Sequence, residues 1–274
     1  MNKRTKRNKR VPLIISGSLV GLLAMVAIFE PWLVLHDPYT TNMAMKLQSF
    51  SATYPLGTDH LGRCVLSRLI AGARVSLFTT FSILIVTLFI SLVVGIVAGF
   101  LGGIVDTILM RLCDILLAMP NFIFALVIVG TLGGGLFNMF IGIVFVSWVW
   151  YARMIRNMVL SLKEAAFVKY AQVTGVSRFT IMRIHILPFV FPQIFLLKLI
   201  GLGSTILLIS ELSFLGLGVS PPMAEWGMMI SDSKTYLLSN PMLMFIPGIM
   251  ISLTVLIFNW FGDAVRDYLD PRTI

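Results

Sequence analysis

The chain has 274 residues, of which 58% are hydrophobic and only 12% are charged, and its mean hydropathy is +0.95. A soluble domain could not cover so much apolar surface, so the composition excludes soluble folds and predicts a protein with several membrane spans. The net charge of +9 does not indicate a nucleic-acid partner, because most Lys and Arg flank the apolar stretches.

The N-terminal part begins with a basic segment, since residues 1–10 hold six Lys or Arg and no acid. The 19 residues of 11–29 are uncharged. At about 1.5 Å per residue they cross a bilayer core of ~30 Å, which predicts a first transmembrane helix. A cleaved signal peptide is the alternative, but the apolar run exceeds the usual h-region of about 7–15 residues and no small-x-small cleavage site follows.

The rest of the chain predicts five more spans. Residues 30–74 are polar and form an external loop, and residues 75–105 are uncharged and form the second span. The uncharged stretch 115–152 is too long for one helix, so Gly133-Gly134-Gly135 divides it into two spans. The fifth span runs from about 186 to 212, and residues 235–262 form the sixth. The predicted fold is therefore an all-α integral membrane protein with six transmembrane helices.

The distribution of basic residues orients these spans. With the N-terminus inside, the inner segments hold 15 Lys or Arg and the outer segments five, which places both termini in the cytosol. The predicted division is a basic cytosolic N-terminus (1–10), a first helix with its external loop (11–74) and a core of five helices (75–274). In the turn after the second span, Arg111 and Asp114 have the i,i+3 spacing of a helical ion pair.

A second long polar run, residues 153–188, lies between the fourth and fifth spans and is named here the coupling segment. It carries six Lys or Arg against one carboxylate, Glu164. Phe167, Val168, Ala171 and Thr174 recur at helical steps and predict a short helix with an apolar face. Gly175 then suits a left-handed helix C-terminus, and Ser177 suits the N-cap of a second helix.

The coupling segment resembles the EAA loop of ABC-importer permeases, whose pattern is Glu-Ala-Ala, three residues, Gly, nine residues and Ile-x-Leu-Pro. The matching positions are Lys169, Tyr170, Ala171, Gly175, His185, Ile186, Leu187 and Pro188. Lys169, Tyr170 and His185 depart from the pattern, and the His-Ile-Leu-Pro ending is common in peptide and nickel permeases. The nearby run 164–166 spells Glu-Ala-Ala but puts Tyr170 where the Gly belongs.

Further matches extend the resemblance to the dipeptide/oligopeptide/nickel permease family over about residues 55–271. They are 55–63, 214–218, 225–227, 262–267 and 270–271. The runs 56–63, 148–154 and 224–227 are most similar to the nickel permease subunit, the second permease of its pair. Peptide permeases share most of these positions.

This resemblance implies a type I ABC-importer permease in a bacterial cytoplasmic membrane. Its implied partners are a second homologous permease, two ATPase subunits and an extracytoplasmic substrate-binding protein. The chain has no Gly-rich phosphate loop, so ATP and Mg would be bound by the ATPase partners and this chain would be neither an enzyme nor a cofactor protein. The residues implied to contact or position the ATPase are Phe167, Val168, Lys169, Tyr170, Ala171, Gly175, His185, Leu187 and Pro188.

A candidate translocation face lies on the fifth span, where Gly201, Ser204 and Glu211 share one helix face. An ionisable residue at membrane depth is a candidate functional group. Two alternatives stay open: small residues also allow close helix packing, and Glu211 can sit at the outer interface. His36 and His60 lack ligand spacing and are interpreted as surface residues, so no metal site is assigned.

Three classes of function compete. An intramembrane enzyme would need paired catalytic groups at membrane depth, and only Glu211 approaches that. An ion-coupled secondary transporter would favour broken helices in matched repeats. The permease subunit of an ATP-driven importer accounts for the spans, the coupling segment and the ordered motifs together. Its cargo is expected to be nickel, free or chelated, with a dipeptide or oligopeptide as the alternative.

Overall fold

The computed structural model describes residues 3–269, and within that range helices are the regular secondary structure, apart from one isolated bridge between Thr58 and Cys64. The predicted motif at 270–271 lies outside the described residues. In chain order the helices are α1 (Lys3–Ile28), α2 (Glu30–Leu33), α3 (Val65–Leu101), α4 (Gly103–Leu117), α5 (Asn121–Leu132), α6 (Leu136–Ser147), α7 (Val149–Lys163), α8 (Ala166–Val173), α9 (Arg178–Thr180), α10 (Leu187–Ile200), α11 (Leu202–Phe214), α12 (Trp226–Ser233) and α13 (Met242–Leu269).

Within residues 3–269, five helical stretches are long and apolar enough to cross a membrane, and a sixth is formed if α4 and α5 count as one bent span. The glycine run 133–135 separates α5 from α6, which confirms the predicted division of 115–152. The third span differs from the prediction, because α4 and α5 meet at 87° across the break that contains Pro120. Proline removes a backbone donor and clashes with the preceding turn, so this bend has a local cause.

The second span begins ten residues earlier than the prediction of residue 75, because α3 starts at Val65. The sequence placed Arg68 and Arg74 in an external loop on account of their charge. In the structure both guanidinium groups have partners: Arg68 donates to the carbonyl of Pro38 at 3.0 Å, and Arg74 pairs with Glu30 at 3.1 Å. Charges satisfied in this way are compatible with the first turns of a helix.

One compact unit comprises Met1–Ser82, Ile128–Ile141 and Leu199–Ile274. In it α1 packs on α13, and α12 packs on α11 and α13. Trp226, at the start of α12, is fully buried, and its indole Nε1 donates to the carbonyl of Leu69 at 2.9 Å. Gly72 is needed beside that ring, because a Cβ there would lie 2.9 Å from it. The short helix α12 is thus fixed against α3.

The other compact unit comprises Ile83–Val127 and Gly142–Lys198. Here α7 lies close against α3, since a Cβ on Gly95 would come within 2.6 Å of the carbonyl oxygen of Ala152. Arg156 forms a bidentate ion pair with Asp106 at 2.9 and 2.5 Å. The predicted pairing of Arg111 with Asp114 is wrong, because Asp114 pairs with Arg153 at 3.2 Å. Both ion pairs therefore join α4 to α7.

Candidate functional site: the coupling segment and an uncovered helix face

The coupling segment folds as two helices around a glycine, as the sequence predicts. α8 ends at Val173, and Gly175 has φ +82°, a conformation that side chains with a Cβ rarely adopt. The amide of Val176 donates back to the carbonyl of Ala171 at 3.0 Å, which closes the helix end. The Ser177 hydroxyl accepts from the amide of Thr180 at 3.2 Å and caps α9.

The second helix of the coupling segment continues without a break into the fifth span. After α9 the chain makes a π-helical turn, Ile181–Ile186, and then enters α10, so that 178–200 is one helical stretch. Pro188 cannot donate the usual helical hydrogen bond, and a wider turn just before it accommodates the missing donor. The sequence predicted that the fifth span begins at about Ile186. In the structure the helix begins at Arg178, in the coupling segment, and runs into the span without interruption.

Two of the nine predicted coupling residues pack inward. Val168 is fully buried and Ala171 nearly so, in a cluster that includes Ile155 and Val159 of α7 and Ile186. Burial of this apolar face fixes α8 against α7 through the hydrophobic effect. Val168 and Ala171 therefore position the segment, and their side chains are not available on its surface.

The other predicted residues lie on or near the surface. Phe167, Lys169, Tyr170, Gly175 and Pro188 are exposed, and His185 and Leu187 are half-buried. The Phe167 ring lies 6.2 Å from the His185 ring and joins the two helices. Lys169, which replaces the glutamate of the motif, forms an ion pair with Glu164 at 2.7 Å. The hydrogen bond from Lys169 holds the pKa of Glu164 below its usual value.

Sequence reasoning missed three exposed apolar residues of the coupling segment. Val173 is 87% exposed, Phe179 65% and Ile184 57%. They lie outside the buried face that contains Val168 and Ala171. The sequence could have indicated them, because an apolar residue on the solvent-facing side of an amphipathic helix is unusual. Together with Tyr170 they give the segment an apolar surface of the kind that marks a protein contact.

A polar cavity of about 500 Å³ adjoins the coupling segment. It is lined by residues of the end of α3, of α8 and of α9, among them Phe100, Gln172 and Arg178. Lys163 also lines it, and its Nζ donates to the carbonyls of Gly99 and Phe100 at 3.3 and 3.1 Å. A cation at these carbonyls is favourable because the C-terminus of α3 carries a partial negative charge.

The predicted translocation face lies partly on α11. Ser204 and Glu211 are exposed there with Leu207, whereas Leu202, Ile206 and Ile209 are buried on the other face. Gly201 is half-buried at the helix start. Glu211 forms no ion pair with a side chain of residues 10–269.

Lys198 is the second charged residue of the fifth span, and it is satisfied inside the unit that holds the coupling segment. Its Nζ donates to Thr87 Oγ1 at 2.8 Å and to the carbonyl of Ser147 at 3.4 Å, and it lies 3.7 Å from the centre of the Tyr151 ring. These are acceptors and a π face, which suit an ammonium group. Lys198 thus links α10 to α3, to the end of α6 and to α7.

The predicted surface histidines lie in the first compact unit. His36 Nε2 is 2.9 Å from the carbonyl of Thr53, and the His60 ring stacks on Tyr236 at 5.5 Å. Within residues 3–269 no group of three His, Cys, Asp or Glu side chains is close enough to hold a metal ion.

Comparison with known proteins gives a consistent result. The family described as "Binding-protein-dependent transport system inner membrane component" matches residues 91–274. The nickel transport system permease protein NikC of Escherichia coli (strain K12) is 40% identical over 256 residues, which cover 93% of this chain and 92% of that protein. The metal-staphylopine import system permease protein CntC of Staphylococcus aureus (strain Mu50 / ATCC 700699) is 38% identical, covering 94% and 90%. The dipeptide transport system permease protein DppC of Alkalihalophilus pseudofirmus is 39% identical, covering 98% and 88%.

Proposed function

Because this chain belongs to the family of binding-protein-dependent transport system inner membrane components, we propose that it forms half of a translocation path for nickel, free or chelated. The predicted resemblance is confirmed: the chain is a multi-pass permease subunit of an ABC importer in the cytoplasmic membrane, with the type I importer fold. One relative is named for nickel and another for metal-staphylopine, and both names support a metal cargo. A dipeptide cargo remains the second candidate, supported by the dipeptide permease relative.

The proposed assembly contains a second homologous permease, two ATPase subunits that bind ATP and Mg, and an extracytoplasmic binding protein. Both termini and the coupling segment lie in the cytosol, as the distribution of basic residues favours. The coupling segment contacts an ATPase through Phe167, Lys169, Tyr170, Gly175, His185, Leu187 and Pro188, and Val168 and Ala171 hold it in place.

The observation that carries this proposal is the continuous helical stretch 178–200. A push by an ATPase on the exposed part of the coupling segment is transmitted to α10 without crossing a flexible joint. Since α8 is packed on α7, the segment and α7 move as one body. Rigid-body rocking of this kind is sufficient to open a path to alternate sides.

On the path itself, we place Gly201, Ser204 and Glu211. An unpaired carboxylate on an uncovered helix face is unfavourable against lipid and favourable beside water or a cation. Glu211 is therefore proposed to contact a cationic cargo during passage. This role is compatible with nickel or a positively charged chelate as cargo. It is equally compatible with a peptide, whose ammonium group is also a cation.

The test is uptake of radioactive nickel, with and without histidine as chelator, by cells that lack other nickel importers. Gly175→Val is expected to abolish uptake, because valine is strained at φ +82°, whereas Gly175→Asn, which tolerates that conformation, retains most of it. Glu211→Gln should lower uptake about tenfold, since one lost charged contact is worth roughly 1.5 kcal/mol. Asp267→Asn serves as its control, because Asp267 is an exposed carboxylate on α13 with no proposed role in the path.

A dipeptide added in excess separates the two cargoes. If nickel uptake does not depend on this chain and dipeptide uptake does, the nickel assignment is wrong and the peptide alternative replaces it. If Gly175→Val and Gly175→Asn transport equally, the coupling segment does not act as proposed.

A further inference from the structure

Lys198 is a buried cation without a counter-ion. It lies in α10, inside the fifth span, and only 5% of its surface is exposed. It forms no ion pair with a side chain of residues 10–269. A buried charge that lacks a carboxylate partner is costly, and an ionisable group inside a membrane span indicates a function. The contacts that Lys198 makes in place of an ion pair therefore need a functional explanation.

The first contact joins Lys198 to α3. Its Nζ donates to Thr87 Oγ1 at 2.8 Å, and that hydroxyl donates in turn to the carbonyl of Ile83 at 2.6 Å. Because an ammonium group can only donate and a hydroxyl has one proton, the direction of this chain of hydrogen bonds is fixed. A hydrogen bond from a charged donor is also stronger than one between neutral groups. The Thr87 side chain thus holds α10 to the backbone of α3.

The other two contacts lie on the two sides of a joint in the fourth span. α6 ends at Ser147, and α7 begins at Val149. The Ser147 carbonyl, 3.4 Å from Lys198 Nζ, belongs to the C-terminal end of α6, where a cation is favourable. The centre of the Tyr151 ring, in the first turn of α7, is 3.7 Å from Nζ, which is a close cation–π contact. One ammonium group therefore contacts both helices that meet at this joint.

Lys198 lies near the far end of the helical stretch 178–200, which begins in the coupling segment. At about 1.5 Å per residue, Arg178 and Lys198 are separated by on the order of 30 Å along this helix. A movement of the coupling segment is carried along the helix to Lys198. What moves with it there depends on how firmly the end of α10 is held to its neighbours.

Direct contact of Lys198 with the cargo does not fit this geometry. An ammonium group has three N–H bonds, and a hydroxyl, a carbonyl and a ring face already surround it. The side chain is buried, and its positive charge would repel a nickel ion. Lys198 therefore acts through the helices that it contacts.

We propose that Lys198 is a positioning residue, which fixes the far end of the stretch 178–200 to α3 and to both sides of the α6–α7 joint. This inference rests on the proposed function, in which ATPase subunits move the coupling segment. The packing of α8 on α7 supplies one connection to the fourth span, and Lys198 supplies a second one. Without Lys198, the ATPases still move the coupling segment, but less of that movement reaches the fourth span, so ATP is hydrolysed with less transport.

The experiment measures how much ATP is hydrolysed for each nickel ion imported. It uses proteoliposomes that contain the importer with its second permease and ATPase subunits, together with the purified binding protein. Lys198→Met keeps a long side chain and removes the charge. We expect it to raise the ratio of ATP hydrolysed to nickel imported about tenfold. Its Tm should stay unchanged or rise, because an apolar side chain replaces a buried charge that has no counter-ion.

Variants of the contacting residues test the individual contacts. Tyr151→Phe keeps the ring and should match the wild type, whereas Tyr151→Leu removes it and should raise the ratio. Thr87→Val removes the accepting hydroxyl and should also raise the ratio. Thr80→Val is its matched control. Thr80 is another buried hydroxyl of α3, it donates to the carbonyl of Ser76 at 2.7 Å, and it does not hydrogen-bond to Lys198.

An unchanged ratio in Lys198→Met, Tyr151→Leu and Thr87→Val overturns the positioning role and leaves the proposed function intact. A raised KM for nickel with an unchanged ratio also overturns it, and assigns Lys198 to the cargo. A lowered Tm with a parallel loss of hydrolysis and import assigns Lys198 to the stability of the fold alone. If Lys198→Met does not assemble, the same ratio in the Tyr151 and Thr87 variants decides.

The wild-type importer tests the proposed function separately. If its ATP hydrolysis drives import of neither nickel nor a dipeptide, the proposed function is wrong, and with it the premise of this inference. If it imports a dipeptide and no nickel, only the cargo assignment fails. The ratio is then measured for the dipeptide, with the same expected results.

Discussion

Glu225 shows how a single residue fixes the outer part of the first compact unit. Its carboxylate is fully buried, and it accepts from the amides of Gly227 and Met228 at 3.0 and 2.9 Å, and from the hydroxyl of Ser76 at 3.1 Å. It thereby caps α12 and ties it to α3. All these donors are neutral, and burial raises the pKa of Glu225 above its ordinary value although the hydrogen bonds oppose that shift.

The raised pKa of Glu225 predicts that the protein is more stable in mild acid. The folded state holds the proton more tightly than the unfolded chain, whose pKa is near 4.5. The stability from this group is therefore fully present below that value, and it is lost as the pH rises through the folded pKa. Thermal unfolding of the solubilised protein between about pH 8 and about pH 5 should show Tm increasing, and Glu225→Gln should remove this increase.

Asp37→Asn is the control for that measurement. Asp37 is exposed, and the hydrogen bond from the Tyr39 amide lowers its pKa, so its effect on stability has the opposite sign. The increase in Tm should persist in Asp37→Asn. If it persists in Glu225→Gln as well, another group is responsible for it.

At the scale of the element, the coupling segment separates residues that hold its position from residues that are available for contact. Val168→Ala removes a buried side chain and should lower the free energy of unfolding by about 1–3 kcal/mol. Val173→Ala, at an 87% exposed position, should leave unfolding unchanged and instead weaken retention of the ATPase subunits during purification. Thermal unfolding and ATPase retention measured on both variants check the distinction. Equal behaviour of the two would contradict it.

The coupling segment also shows which features a sequence can predict. Gly175 and Ser177 were predicted correctly, because a left-handed helix end and an N-cap each require particular residue types at one position. The continuity of 178–200 was not predicted, since a π-turn before Pro188 is a response of the packed chain and leaves no residue signature. The exposure of Val173 and Phe179 was not predicted, because the helical spacing that places Val168 and Ala171 on one face says nothing about apolar side chains on the other faces.

The same limit applies to the ends of the spans. Hydropathy located the apolar stretches, but it excluded Arg68 and Arg74 from the second span and did not show the 87° bend between α4 and α5. Whether a charge can enter a helix depends on its distant partners, such as Pro38 for Arg68 and Glu30 for Arg74. Those partners are set by tertiary packing, and no local pattern in the sequence identifies them.

At the scale of the whole molecule, the proposed topology predicts that the coupling segment and the loop before α13 are accessible from opposite sides of the membrane. Between Val173 in the coupling segment and Leu238, which is fully exposed before α13, the chain makes one proposed crossing, through α10 and α11. The native Cys64 and Cys113 are both buried, so their thiols should give little background with a membrane-impermeant maleimide. A cysteine at either exposed position is therefore a direct probe of its side.

Leu238→Cys is expected to react with the maleimide in intact spheroplasts, and Val173→Cys only in inside-out vesicles. Adding the ATPase subunits to those vesicles should then protect Val173→Cys, since the proposed contact covers it, and should leave an exposed cytosolic control such as Asp267→Cys reactive. Reaction of both cysteines from one side would contradict the single crossing. Reaction from opposite sides without protection would keep the topology and remove Val173 from the ATPase contact.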